Sequence, residues 1–423
     1  MGAVTRRSSI SDQPLGGARR HRPDYWLLVI SALLLAVGLV VVYSISPGLA
    51  VEKSLPENFF INRQLVNVVL GVAVLIVVAN MPIRAWERLQ TPLLVAAAVS
   101  AVLVRVFGEQ VNGAYRWIHI GSLSFQSVEL IKLALLVWLA GFLTARIRQG
   151  QMGDFKQTFR PLLIALATLG VVVAGVQSDL GSTGVAVIMM AVMAFVAGLP
   201  IKKILLIGAA ILTVAFFAVV GSEYRQHRLM TYLNPTQDCL TTGYQACQAL
   251  IAVGSGGMAG LGLGNSVQAF GYLPEAENDS IFAIYAEKFG FLGVTVLLGL
   301  YLAFFARIKR IMERAPDDFS RLLATGVFVW LAAQSMINIG AMLGVLPLKG
   351  ITLPFISYGG TSVVFVMILV GILFQISRYT LYSVPRQTGV VNTSMRSSRP
   401  AYTGSTPVFS SSSGARRMRS PLK

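Results

Sequence analysis

Charge is scarce in this chain. Only 13% of its 423 residues are Asp, Glu, Lys or Arg, against roughly 25% in a soluble globular protein. So few charges cannot clothe a water-facing surface, and the 55% of apolar residues must meet lipid instead. Cys239 and Cys247 are the only two cysteines, which excludes a disulfide scaffold and a Cys-based zinc site. Histidine is as rare, at His21, His119 and His227. Acids are missing altogether from Arg378 to Lys423, while eight arginines and lysines fall there. Residues 383–423 therefore read as a disordered basic tail drawn to an anionic leaflet, not as a nucleic-acid binder. A cleavable signal is missing too: residues 1–23 carry Arg6, Arg7, Arg19, Arg20 and Arg22 and no small-residue cleavage site follows.

What is present is a series of apolar runs long enough to cross a hydrocarbon core of about 30 Å. They lie at Tyr25–Ser46, Gln64–Asn80, Leu93–Phe107, Val128–Arg146, Leu162–Val176, Leu180–Gly198, Ile204–Gly221, Ile281–Ala306, Leu322–Leu343 and Phe355–Ile376. Each must be a helix, because a segment alone in lipid has to satisfy its own backbone groups. The expected fold is all-α and polytopic, with about ten transmembrane helices in residues 24–382. An even number of crossings puts both termini on one side. Arg84, Arg88, Arg146, Arg148, Lys156, Arg160, Lys202, Lys203, Arg307, Lys309, Arg310 and Arg314 fall in the segments sharing that side, which makes it cytoplasmic. Acids such as Glu52, Glu57, Glu109, Glu275, Glu277 and Asp279 fall on the other.

The segment from Ser222 to Ser280, between the seventh and eighth runs, is far longer than a turn requires. Its glycines, Gly254 to Gly264, alternate with apolar residues, a texture that suits a folded or re-entrant segment. The Gly-Lys-Ser/Thr ending of a nucleotide loop is absent. Cys239 and Cys247 share this outward segment, where an oxidising compartment permits a disulfide.

Ionisable groups in or beside spans need a reason. Glu129 and Lys132 are three apart on one helical face, either as a packing ion pair or as part of a cavity. Asp179 is placed to cap the sixth span or to line a site. Arg116, between Tyr115 and Trp117, belongs either to an interfacial belt or to a phosphate site. Glu275, Glu277 and Asp279 gather just before the eighth span, where Asp279 is placed for a general base, although a helix N-terminus tends to lower its basicity. Plain capping by Asn278 or Asp279 is the alternative. Leu353 to Ser362, with Ser357 and Tyr358, opens the tenth run with small and polar residues suited to close helix approach or a cavity wall.

In this order, Asn112–Ile118, Gln126-Ser127-Val128-Glu129, Gln177–Ser182, Gly243-Tyr244-Gln245, the glycine run, Tyr272-Leu273-Pro274-Glu275, Ala283–Gly290 and Pro354–Ser362 resemble the FtsW/RodA, or SEDS, family across Tyr25 to Tyr382. The stretches Tyr224-Arg225 to Asn234-Pro235 and Gly264 to Gln268 are similar to its division branch. The resemblance implies a peptidoglycan glycosyltransferase of the inner membrane, at the septum, that polymerises lipid II with a polyprenyl pyrophosphate as leaving group. It implies a class B penicillin-binding protein and other division proteins as partners. Asp279 falls on the family's essential acid, and Arg116, Glu129, Lys132, Asp179, Ser357 and Tyr358 on positions around its cavity. Three departures stand out. Glu277-Asn278 replaces His-Thr before the acid, and Ser127 and Ser178 replace prolines. A second carboxylate at Glu277 is placed to raise the pKa of Asp279 or to share a divalent cation, Mg or Mn, with it. A lipid II flippase without chemistry is the alternative reading of the same intramembrane charges.

Overall fold

The structure, a computed structural model, describes residues 19–20, 22–111, 114–120, 123–177, 179–220, 239–241 and 243–380. It is a polytopic helical membrane protein. The bundle contains α1 (Tyr25–Glu52), α2 (Phe59–Asn80), the short α3 (Ile83–Arg88), α4 (Gln90–Phe107), α5 (Ser127–Arg148), α6 (Arg160–Leu169) between π-helical turns, α7 (Leu180–Val196) and α8 (Ile201–Val220). After these come α9 (Tyr244–Ser255), α10 (Ile281–Glu313), α11 (Asp318–Met342) and α12 (Gly360–Ser377). Among the described residues, 8 helices are long and apolar enough to cross a membrane. Leu180–Val196 is apolar but shorter, and Ile201–Val220 is an apolar helix of 20 residues.

Burial sorts the helices into layers. In α5, α11 and α12 the shares buried inside the protein are 67%, 72% and 83%, against 22–28% in α2, α4 and the Phe155–Val173 run. The first three are therefore the interior and the others the lipid-facing wall, an ordering that uniform apolarity hides because lipid accepts leucine as readily as a core does.

The two ends of the bundle differ. At one, Asp24 caps α1 by accepting from Leu27 N–H, Arg307 donates to Asp24 at 2.8 Å, and Arg378 meets Asn80. There too β1 (Arg19–Arg20) pairs with β5 (Tyr379–Thr380), which brings the first and last described residues together. At the other end, beyond Lys53, lie the acidic segment, the loop before α12 and a three-stranded antiparallel sheet of β2 (Glu109–Val111), β3 (Ala114–Ile120) and β4 (Leu123–Gln126).

This sheet takes up residues 114–118 of the Asn112–Ile118 motif. Tyr115 and Trp117 flank Arg116 in the period-2 alternation that favours a strand, and Asn112-Gly113 is a tight-hairpin sequence, although those two residues lie outside the described ones. Several helix ends also move, among them three that bear on the site. Beyond Ser46, α1 continues through Pro47 to Glu52. The eighth run reaches Glu313. The tenth helix starts at Gly360 rather than Phe355, because Pro354 and Phe355 (φ 69°) belong to a turn.

The glycine run has a structural purpose. α10 breaks at Gly290, where φ is 63° and ψ is −166°. Residues 256–262 lie against the break and bond to its freed backbone. Leu261 and Gly262 donate to the carbonyls of Glu287 and Lys288 at 2.9 and 3.0 Å, while Phe291 and Leu292 donate to Gly257 and Met258 at 2.9 and 3.1 Å. Only glycine permits this approach: a Cβ on Gly260 (φ +83°) would lie 2.2 Å from the Lys288 carbonyl oxygen, and one on Gly290 2.3 Å from the Gly260 nitrogen. Buried Glu287 secures the next turn, accepting from Ser266 Oγ and from the N–H groups of Val267 and Gln268.

Candidate functional site

Residues 275–280 form a short turn between α9, α11 and the loop before α12. Glu275 sits at φ 53°, and Asn278 N–H and Ser280 N–H both return to its carbonyl. The next carbonyls are each held from outside. Tyr358 N–H donates to Glu277 O at 2.8 Å, Ser357 Oγ donates to Asn278 O at 2.6 Å, and Asn338 Nδ2 donates to Asp279 O at 2.7 Å. Ser357 Oγ also accepts from Leu353 N–H. Gripping the backbone at successive residues fixes the carboxylates without using their oxygens.

Those carboxylates take different environments. Glu277 is buried and pairs with Lys53 at 2.6 Å. Glu275 is exposed and accepts from Asn278 Nδ2 at 2.6 Å. Asp279 is half-buried over its whole surface, but its Oδ1 is fully enclosed and has no partner among the described residues. Burial, and then the Glu275 charge, push its pKa from 3.8 to about 7, with Glu277 adding a smaller push and Gln245 opposing by a hydrogen bond. The expectation that a helix N-terminus would hold Asp279 acidic is thus overturned. Ser280, not Asp279, precedes α10, and neither Asn278 nor Asp279 caps it. The like-charge push from Glu277 has the expected sign but is outranked by Glu275. Asp279 opens on a cleft that Asn338, Lys349 and Ile351 also line.

The carboxylates do not make a metal centre. Glu277 turns to Lys53, and no group of three or more His, Cys, Asp or Glu side chains converges among the described residues. The arrangement does not fit a divalent cation shared by Asp279 and Glu277.

Deeper in the bundle, Lys132 Nζ pairs with Glu129 at 2.8 Å, with both side chains at most 5% exposed. It also donates to Gln334 Oε1 at 3.0 Å and lies over the Trp330 ring at 4.5 Å. Gln334 Nε2 reaches Thr352 at 3.0 Å, and Thr352 Oγ1 meets Ser362 Oγ. Glu129 and Lys132 thus brace α5, α11, α12 and the intervening loop through hydrogen bonds. Asp179 is buried and caps α7, accepting from Ser182 N–H and Oγ. Tyr358 packs edge-on against Phe60, and burial raises its phenol pKa. The backbone of Arg116 lies in β3, and its side chain lies outside the described residues, as do Tyr224 to Asn234-Pro235. Cys239 and Cys247 are joined, with Cα atoms 5.5 Å apart.

Sequence reasoning passed over Lys53, Glu287, Lys288, Gln334 and Asn338. For Gln334 and Asn338 a signal existed: two amides four apart in an apolar run share a helix face, and such groups in lipid need partners.

The FtsW/RodA/SpoVE cell cycle protein family model matches residues 25–382. The chain is 39% identical over 367 residues to stage V sporulation protein E of Bacillus subtilis, covering 86% of this chain and 99% of that protein. It is 38% identical over 374 residues to the "probable peptidoglycan glycosyltransferase FtsW" of Thioalkalivibrio sp., covering 87% and 93%. A solved structure titled for the coordination of polymerization and crosslinking by a peptidoglycan synthase complex superposes with a TM-score of 0.69 at 29% identity, covering 84% of this chain and 98% of that one. The crystal structure of the Thermus thermophilus rod shape determining protein RodA does so at 0.62 and 29%, covering 84% and 97%. With its helical bundle, its motif order and a match that runs almost from end to end, the chain belongs to the FtsW/RodA/SpoVE family.

Proposed function

We propose that this protein is a peptidoglycan glycosyltransferase that polymerises lipid II during division, with Asp279 as general base. The observation that carries the reading is the Asp279 carboxyl group itself, rigidly mounted at one end of a membrane bundle and lining a cleft, with a pKa raised to about 7. A base poised near the working pH combines availability with proton affinity. Asp279 takes the proton of the acceptor sugar hydroxyl, and that oxygen bonds to the anomeric carbon of the donor. The bond from that carbon to the polyprenyl pyrophosphate breaks, and the pyrophosphate leaves with the electron pair.

Orientation supports this. The end that holds Asp24, Arg307 and Arg378 carries the basic loops and is assigned to the cytoplasm; the Asp279 end then faces outward, where a lipid-anchored sugar is presented. Residues 24–382 are the membrane domain, and 1–23 and 383–423 its cytoplasmic tails. Relatives named FtsW support an inner-membrane, septal role, and likeness to a polymerising and cross-linking complex supports a class B penicillin-binding protein as partner. The flippase alternative loses its main support, because Glu129 and Lys132 are bonded to one another instead of lining an open path.

Purified protein with its penicillin-binding partner, given lipid II, should yield glycan strands that Asp279→Asn abolishes. If the unmutated protein makes none but moves lipid II between leaflets, the flippase reading replaces this one.

A further inference from the structure

Gln245 reaches the acidic turn from the first turn of α9. Its Nε2 donates to Ser280 Oγ at 3.1 Å, and its side chain also hydrogen-bonds the Asp279 carboxylate. Ser280 Oγ gives its own hydrogen to Pro274 O at 2.9 Å, which leaves it an acceptor for Gln245. Helix geometry aims Gln245 inward: Ala249 and Ala252, four and seven positions on, share its stripe of α9 and are buried. A first turn is the weakest part of a helix, because its N–H groups lack intrahelical partners. α9 follows Gly243 and has no side-chain cap. What holds this turn is covalent. Cys239, outside the helix, is joined to buried Cys247, inside its first turn, with Cα atoms 5.5 Å apart across eight positions. The ring so closed contains Gln245.

Resting on the glycosyltransfer proposed above, with Asp279 as base, we propose that the Cys239–Cys247 disulfide is a clamp on that base: by fixing the first turn of α9 it keeps Gln245 on Asp279, and Gln245 is a positioning residue that steadies the carboxylate in its ionised form. Opening the disulfide returns conformational freedom to residues 239–247, so that Gln245 spends less time in contact. A donor to an ionised carboxylate favours that form, which is the sign of the effect Gln245 has on Asp279. The other ionisable groups around Asp279 are Glu275 and Glu277 on its own turn, Lys53 of α1 paired with Glu277, Tyr358 of the loop before α12, and Lys349 beside the cleft. None of them lies in the ring that the disulfide closes, so a change in titration on opening it reports Gln245.

The test titrates Asp279 directly in the full chain in detergent, through the infrared carbonyl band of its protonated carboxyl, isolated by subtraction of the Asp279→Asn spectrum. Gln245→Ala should move the midpoint up by about one pH unit, the equivalent of one hydrogen bond to a charged group. Cys239→Ala combined with Cys247→Ala should move it the same way by a smaller amount, and adding Gln245→Ala to that pair should take it no higher than Gln245→Ala alone. A cysteine-free protein that melts earlier but titrates with the parent would overturn the clamp and leave the disulfide as a staple. So would a shift that adds in full to that of Gln245→Ala, or free thiols at both positions in the unreduced wild type. Should the cysteine-free protein fail to fold, Gln245→Ala decides alone: an unmoved midpoint sinks the proposal. Strand synthesis, followed in parallel, should fall by about five- to tenfold in Gln245→Ala; a wild type that makes no strands refutes the polymerase reading instead, a result the titration does not touch.

Discussion

Lys53 Nζ lies 2.6 Å from Glu277 Oε1 across 224 residues of chain. The contact ties the end of α1 to the acidic turn and neutralises one of the two charges beside Asp279. Lys53 is nearly half exposed, so solvent screening makes the pair a small contributor to stability; what it offsets is the Glu277 charge, one of the groups that raise the pKa of Asp279.

The pH dependence of polymerisation should show this. A general base works ionised, so with Asp279 in that role the rate should climb through pH about 7. Glu275→Gln removes the larger neighbouring charge and should move that limb to lower pH. Lys53→Ala leaves Glu277 uncompensated and should move it higher, whereas Glu277→Gln should move it slightly lower at little cost in rate. Limbs that coincide in all four proteins would show that Asp279 is not the group being titrated.

Asp279→Asn separates chemistry from folding. A positioned base supplies about 10²–10⁴-fold in rate, so strand synthesis should fall by at least about 100-fold. Stability should move the other way. A carboxyl whose pKa rises from 3.8 to about 7 on folding contributes fully below pH 3.8, and that contribution is lost as pH climbs through 7. The variant should melt with the parent at pH 3.5 and above it at pH 8, by on the order of 4 kcal/mol at most. Near-normal synthesis would transfer the role to Glu277 or Glu275.

The paired glycines should be irreplaceable in different degrees. Gly260→Ala and Gly290→Ala drive a methyl into backbone atoms at 2.2 and 2.3 Å and should leave no folded protein in detergent. Gly262→Ala, with the same sign of φ but open space around it, carries only backbone strain of about 1–2 kcal/mol. A similar melting temperature for all three would contradict the backbone pairing at the α10 break.

Removal of one member of the Glu129–Lys132 pair strands a buried charge, at about 3–5 kcal/mol. Lys132→Met should therefore unfold more readily than the double variant Glu129→Gln, Lys132→Met. Melting curves in detergent check the order, and equal loss in both would mean that Gln334 and Trp330 carry the site alone.

Topology is tested by reporters fused at residue 423 and within residues 239–280, which should report opposite compartments. Matching signals would sink the ten-crossing arrangement.

The spans were legible in the sequence because lipid simplifies the code: a helix long enough to cross it reads as an apolar run. The sheet at residues 109–126 was missed because strand alternation there is short and borders apolar helices. The layering of α5, α11 and α12 was hidden, since interior and lipid-facing surfaces are equally apolar. The environment of Asp279 was not legible, because a position just before a helix suggests a lowered pKa while burial, which only the fold determines, raises it. Asn338 and Lys53 act through contacts to residues 59 and 224 positions distant, which no local pattern encodes.

The interrupted α10 also constrains how this protein is made. A span released into lipid must already carry all its backbone bonds, and Ile281–Glu313 does not: the groups of Glu287, Lys288, Phe291 and Leu292 are completed by residues 257–262. Those residues precede the span in the chain. The unit that satisfies its own backbone is therefore the helix together with the segment ahead of it, not the helix alone.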